Sequence, residues 1–300
     1  MTTRGRHIIF IIFVVLFAAT SALTLLYASG YRVTRGGRVV ETGILFVNGK
    51  PRDAHGFLNQ KLVGAKLPLR VPHLIPGSYR IRVAKDGYHA WEKTLDIRPR
   101  ETAFATELVL WKQAAPEQRS AQRDINKITW DGDELIMQRA APTVSIQKKE
   151  RIKTLSHQEK RFLLWEPASD NLMLAYDDTD TPPQQLSIAA PKEPIVAWNP
   201  EIKRWLIATA HELWLLGSDG ALTLVERTSA EIKTALFLAD YPYVLAHTGD
   251  DLRILELDDR DRRNVVTLIT RPSARAVTVN AAATLVAFAD DEGVWAMEIK

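Results

Sequence analysis

The chain has 300 residues, of which 46% are apolar and 25% charged, a balance that suits a folded body and excludes a disordered tail. Its 39 basic and 36 acidic side chains leave a net charge of only +3, so no nucleic-acid partner is expected. The absence of cysteine removes disulfides, thiolate metal sites and cysteine nucleophiles, and is compatible with either side of a membrane.

After a short head at 1–7, Ile8 to Tyr27 reads IIFIIFVVLFAATSALTLLY, twenty residues without a charge. At about 1.5 Å per helical residue it reaches about 30 Å, the hydrocarbon thickness of a bilayer. A span satisfies its backbone internally because lipid offers no water to bond. A buried core helix should show a polar face, whereas here only Thr20, Ser21 and Thr24 interrupt the run. Short hydroxyls of that kind bond back to their own helix. A cleaved secretory signal has a shorter apolar region of about 7–15 residues. Thr20-Ser21-Ala22 and Tyr27-Ala28-Ser29 nevertheless resemble cleavage sites, so that reading stays open beside the retained span. Arg4 and Arg6 before the span favour a cytoplasmic N-terminus, while Arg32, Arg35 and Arg38 after it argue the reverse. Long domains are translocated largely regardless of their charge, so the expected topology is single-pass in the cytoplasmic membrane with the C-terminal body outside. Tyr27 and Tyr31 then fall at the headgroup level.

Residues 28–42 read as a short, basic, flexible connector. From residue 43 short apolar runs alternate with turn signals, the pattern of an all-β domain. Ile44–Val47 is expected to be a strand ending in a tight turn at Asn48-Gly49. Phe57-Leu58 and Leu62-Val63 flank Asn59-Gln60 as a hairpin closed by Gly64. In Ser78–Lys85, Tyr79, Ile81 and Val83 fall on one face and Arg80 and Arg82 on the other, the period of a half-buried strand. Asp86-Gly87 turns the chain before strands at Trp91–Ile97 and Phe104–Trp111.

The tract from Leu74 to Ile97, LIPGSYRIRVAKDGYHAWEKTLDI, resembles the second half of a PEGA domain: a Pro-Gly turn, an alternating strand, a Gly-Tyr pair and a closing strand that opens on Trp. The eponymous Pro-Glu-Gly-Ala turn would fall at Pro51–Ala54, where Pro51 and Ala54 match and Arg52 and Asp53 do not. Where many members have Asp-Gly in the hairpin, this chain has Asn59-Gln60. YASGYR after a membrane span is also similar to a group of membrane-anchored bacterial PEGA proteins. The resemblance implies a small β-sandwich at 43–112, used at the cell envelope and without enzymatic activity.

Residues 113–123 are polar and read as a linker. From 124 to 300 the chain repeats a strand, a polar break and a second strand: ITWDGDELIMQ, LLWEPASDNLMLAY, VAWNPEIKRWLIAT, LFLADYPYVLAHT and VTVNAAATLVAFA. Trp130, Trp165 and Trp198 are read as equivalent, 35 and 33 residues apart, with Asp240 and Asn280 in the breaks of the last two units. His211–Leu216 supplies a third strand and, past Ser218-Asp219-Gly220, Leu222–Val225 a fourth. Four strands per unit is the blade of a β-propeller, here with four to five blades, and an ordinary sandwich is the alternative. The chain stops at the third strand of its last blade, Val294–Ile299. A segment near Thr143–Gln147 is expected to supply that blade's fourth strand, or the ring stays open with an unpaired edge.

Chemistry is sparse. His7, His55, His73, His89, His157, His211 and His247 lack helical zinc spacing and read as surface or turn residues. Acidic groups at Asp131–Glu134, Asp177–Asp180, Asp250-Asp251, Asp258-Asp259 and Asp290–Glu292 suit solvated turns better than calcium loops or acid–base pairs. No nucleophile elbow or phosphate-cradling glycine loop is present. Lys148–Lys153 is basic but lacks the aromatics of a nucleic-acid groove. The expectation is therefore a non-catalytic protein with no catalytic, cofactor or metal residues, held in the bilayer through Ile8–Tyr27 and binding an envelope polymer, surface layer or partner protein. An envelope glycan hydrolase using acids of the propeller, and a cytoplasm-facing scaffold or sensor, are the alternatives.

Overall fold

The computed structural model describes residues 3–34, 36–132, 134–139, 152–177, 181–239 and 241–300. A single helix, Thr3–Ala28, opens the chain, and every regular element described after it is a strand. The chain divides into two units, Met1–Asp86 with Ala90–Leu110, and Gly87–His89 with Trp111–Lys300.

In the first unit, Gly43–Lys50 lies between Leu69–Leu74 and Thr102–Val109, running parallel to the latter. A second, antiparallel sheet orders Lys61–Gly64, His55–Leu58, Gly77–Ala84 and Trp91–Ile97. The alternation in Gly77–Ala84 is realised: Ile81 and Val83 are buried while Arg80 and Arg82 are exposed. Leu45, Val47, Ile81, Val83, Leu95 and Ile97 make the apolar core of this sandwich. Asn59 and Gln60 both take positive φ, 46° and 69°, which closes the expected hairpin without glycine.

Two local expectations fail for physical reasons, and one strand was not expected at all. Asn48-Gly49 is not a turn but the continuation of Gly43–Lys50. A Cβ on Gly49 would lie 2.3 Å from the carbonyl oxygen of Leu108, so this glycine permits close approach of two strands. Residues 28–42 are not a loose connector: Tyr31–Val33 pairs antiparallel with Val39–Glu41 around the Gly36-Gly37 turn. Leu69–Leu74 went unforeseen because Pro68 and Pro72 argue against a strand, and it is tolerated at a sheet edge.

Among the described residues the second unit contains five sheets. Blade 1 pairs Ile125–Asp131 with Glu134–Arg139. Blade 2 is Lys153–Gln158, Arg161–Glu166, Asn171–Tyr176 and Gln184–Ala189 in chain order. Blade 3 is Ile195–Asn199, Arg204–Ala208, Glu212–Gly217 and Leu222–Arg227, and blade 4 is Ile232–Phe237, Tyr243–Thr248, Asp251–Glu256 and Val265–Thr270. Blade 5 contains Ala276–Val279, Leu285–Ala289 and Val294–Glu298, with Glu117–Ser120 at its edge. First strands pack in succession, that of blade 2 on blade 3, 3 on 4, 4 on 5, and 5 on blade 1. This is a β-propeller-like domain.

Blade stacking explains why the middle strands read as unbroken apolar runs. In Arg204–Ala208, Trp205 and Ile207 face blade 2 while Leu206 and Ala208 face blade 4, and all four are at most 2% exposed. A sheet covered on both faces has no polar side to alternate with.

Two readings of the repeat need correction. Trp130 and Trp198 lie in first strands, but Trp165 lies in the second strand of blade 2, paired with Leu172. Every hairpin of a meander is an apolar strand, a polar turn and an apolar strand, so LLWEPASDNLMLAY is strands two and three of blade 2, with Lys153–Gln158 as its first strand. The fourth strand of blade 5 comes from Glu117–Ser120, in the segment read as a linker. Its sequence EQRS has no apolar residue because it is an exposed edge, and its pairing with Val294–Glu298 is what makes it a strand. Thr143–Gln147, Lys148–Arg151, Asp133, Asp178–Asp180, Asp240 and Arg35 lie outside the described residues.

Candidate membrane anchor and the pocket at its exit

Ile9–Ala28 has a mean hydropathy of 2.7 and is long and apolar enough to cross a membrane. None of it is buried, and Phe10, Phe13 and Phe17 stand 67–73% exposed. Its two threonine hydroxyls are satisfied within the helix: Thr20 Oγ1 donates to the carbonyls of Leu16 and Phe17, and Thr24 Oγ1 to that of Thr20 at 2.7 Å. The helix surface is therefore apolar all round, which in water is a continuous exposed patch and in lipid is not.

The helix ends in a built cap. Gly30 takes φ +88° and its amide donates to the carbonyl of Tyr27. Arg32 Nη1 also donates to that carbonyl, at 2.9 Å, and its guanidinium carbon sits 3.6 Å above the Tyr27 ring. A cation on the last carbonyls offsets the negative end of the helix dipole. The Gly30 carbonyl in turn accepts from the amide and the hydroxyl of Thr42, and the Tyr27 ring lies 6.3 Å from that of His73.

Beside this cap is an open cavity of about 320 Å³, lined by Ser29, Gly30, Glu41, Arg70, His73 and Arg100 among others. Glu41 accepts from both Tyr31 Oη and Arg100. The Tyr31 hydroxyl and the Glu41 carboxylate together push the Arg100 guanidinium above its ordinary value.

The scattered titratable groups do not gather. Of the seven histidines, six are exposed or half-buried, but His247 is fully buried in the second strand of blade 4, contrary to the surface reading. Neither of its ring nitrogens has a hydrogen-bond partner, and burial, with the nearby Lys233, lowers its pKa to about 4. The acidic groups occupy turns. Asp131 and Glu134 join strands one and two of blade 1, and Asp258-Asp259 lie between strands three and four of blade 4. Asp250-Asp251 and Asp290–Glu292 join strands two and three, hence the opposite end of the meander. Asp290 is 1% exposed; its Oδ1 accepts from the amides of Glu292 and Gly293 and from Trp295 Nε1, which makes it a turn-former. Among the described residues no three His, Asp or Glu side chains are placed to hold a metal. A cavity of about 390 Å³ where blades 2 and 3 meet is lined by Lys153, Glu193 and Pro194 with neighbouring aliphatics, and by no member of the acidic groups.

Two sheets, three- and four-stranded, packed over one core and preceded by an apolar helix match the layout expected from the Leu74–Ile97 tract. Residues 42–112 match the PEGA domain family. No curated protein matches the chain. Solved structures similar to it include Hsv2 of Kluyveromyces lactis, with 10% identity over 84% of this chain and 72% of that one at TM-score 0.37, and the Cps50 (Swd1) propeller of Myceliophteria thermophila, with 10% identity over 74% and 80% at TM-score 0.38. The Dos1 propeller is similar at 8% identity over 75% and 51%, TM-score 0.36. The propeller-like arrangement stands on its own strand pairing. The PEGA domain also carries an open cavity of about 320 Å³ on its four-stranded sheet, lined by Phe57, Gln60, Arg80, Arg82 and Glu92. There Arg80 is paired with Glu92, and the Arg82 guanidinium lies 5.6 Å from the Phe57 ring.

Proposed function

We propose that this is a single-span, non-catalytic binding protein of the cell envelope. Residues 8–27 hold it in the cytoplasmic membrane, with the head 1–7 inside and the PEGA domain (43–112) and the propeller-like domain (117–300, its first strand closing blade 5) outside. The observation behind this reading is the apolar surface of Ile9–Ala28, none of which is buried. Water would penalise that surface at about 25 cal/mol per Å², and a bilayer removes the penalty. Beyond it stand a PEGA domain and a stack of sheets with carboxylates dispersed among turns, an arrangement that offers surfaces and not an acid–base pair. Tethering confines those surfaces to a thin shell above the bilayer and raises their effective concentration for an envelope polymer, a surface layer or a partner protein.

The lack of native cysteine gives a clean test of topology. Glu201 is exposed in the turn between the first two strands of blade 3. In Glu201→Cys, an impermeant thiol reagent added to intact cells is expected to label the chain fully. Labelling only after lysis would put the body in the cytoplasm and favour the scaffold or sensor alternative.

A further inference from the structure

We propose that the pocket at the helix exit is a binding site for the phosphate of an anionic phospholipid, clasped by Arg70 and Arg100. The inference rests on the membrane-anchor reading and adds a ligand to it. Ala28, the last helical residue, lines the pocket, so a span over Ile9–Ala28 sets the pocket at headgroup depth. The Arg70 side chain is exposed and, among the described residues, makes no ion pair or hydrogen bond. Arg100 is held in place by Glu41 and Tyr31, which spend one carboxylate on one of two cations and leave the pocket net positive. A helix C-terminus would ordinarily repel a phosphate, but Arg32 and the Gly30 amide already cover the Tyr27 carbonyl. The planar guanidinium fork matches a phosphate bidentately, and the cavity of about 320 Å³ has room for a phosphate with its glycerol. Depth decides the source: a headgroup is presented there continuously, whereas a free anion has to be drawn from solution.

The test uses the full chain in a non-ionic detergent, titrated separately with dioctanoyl phosphatidylglycerol, dioctanoyl phosphatidylcholine and inorganic phosphate, with bound species counted by native mass spectrometry. One saturable phosphatidylglycerol is expected, with the other two at least about tenfold weaker. Arg70→Ala should weaken phosphatidylglycerol about tenfold. Arg52→Ala removes the same charge from an exposed turn residue outside the pocket and should change nothing. Equal affinity in Arg70→Ala and the parent, or phosphatidylcholine binding as well as phosphatidylglycerol, would overturn the site. Inorganic phosphate binding as tightly would overturn the lipid as its source. A flotation arm separates the two readings. A chain that fails to float with vesicles loses both the anchor and the site, whereas one that floats without headgroup preference loses the site alone.

Discussion

Trp205→Ala is expected to destabilise the propeller-like unit by about 4 kcal/mol, the usual cost of emptying a buried aromatic site. Trp205 is 0% exposed and packs among Leu163, Leu172, Leu174 and Ile188 of blade 2. Its ring lies 4.6 Å from that of Trp198, and its Nε1 donates to Ser156 Oγ across the two blades at 3.0 Å. Truncation therefore removes apolar contacts, leaves a cavity, and strands the Ser156 hydroxyl. Since blades cannot hide their faces alone, loss at one interface weakens its neighbours too. Chemical denaturation of the full chain in detergent, followed by tryptophan fluorescence, measures it. A cost below about 1 kcal/mol would mean that blades 2 and 3 are not stacked through this residue.

The second large effect is acid sensitivity through His247. Its folded pKa of about 4 lies below the ordinary 6.5, first because burial penalises the cation and then because Lys233 is near, with Asp250, the Gly249 backbone and Asp251 pulling weakly the other way. Above pH 6.5 both folded and unfolded chains hold the ring neutral, and stability is at its full value. Between 6.5 and about 4 the unfolded chain takes up a proton that the folded one refuses, so stability falls as pH falls. Over that window the loss amounts to about 3 kcal/mol. His247→Leu should flatten this part of the pH dependence and, because the ring is already neutral in both states at pH 7.5, should cost under about 1 kcal/mol there. Denaturation midpoints of parent and variant at pH 7.5 and 4.5 decide it, and parallel losses in both would rule His247 out.

What the sequence made legible follows from how local each signal is. The helix, the hairpin at Asn59-Gln60 and the alternation of Gly77–Ala84 are written within a few residues, and each stands where its pattern puts it. Gly49 was misread because its reason is a distant strand, Leu108, and not its neighbours. Glu117–Ser120 was invisible for the same cause, since a polar edge strand becomes one only by pairing with Val294–Glu298, far along the chain. The Trp series mistook one hairpin for another and passed over Trp205, the indole that joins two blades. His247 gave no sign either, because the hydrophobic run around it, YVLAHT, is buried on both faces and a lone histidine does not interrupt it. The exit pocket draws on residues 29, 41, 70, 73 and 100, too dispersed for any motif.

All the functional readings depend on the apolar helix being kept and lodged in lipid. The direct measurement is alkaline carbonate extraction of membranes from cells producing the full chain, with the N-terminal sequence of the recovered polypeptide. The account predicts that the chain stays in the pellet with Ile8–Tyr27 intact. Recovery in the soluble fraction, with about the first thirty residues removed as from a secretory signal, would contradict it.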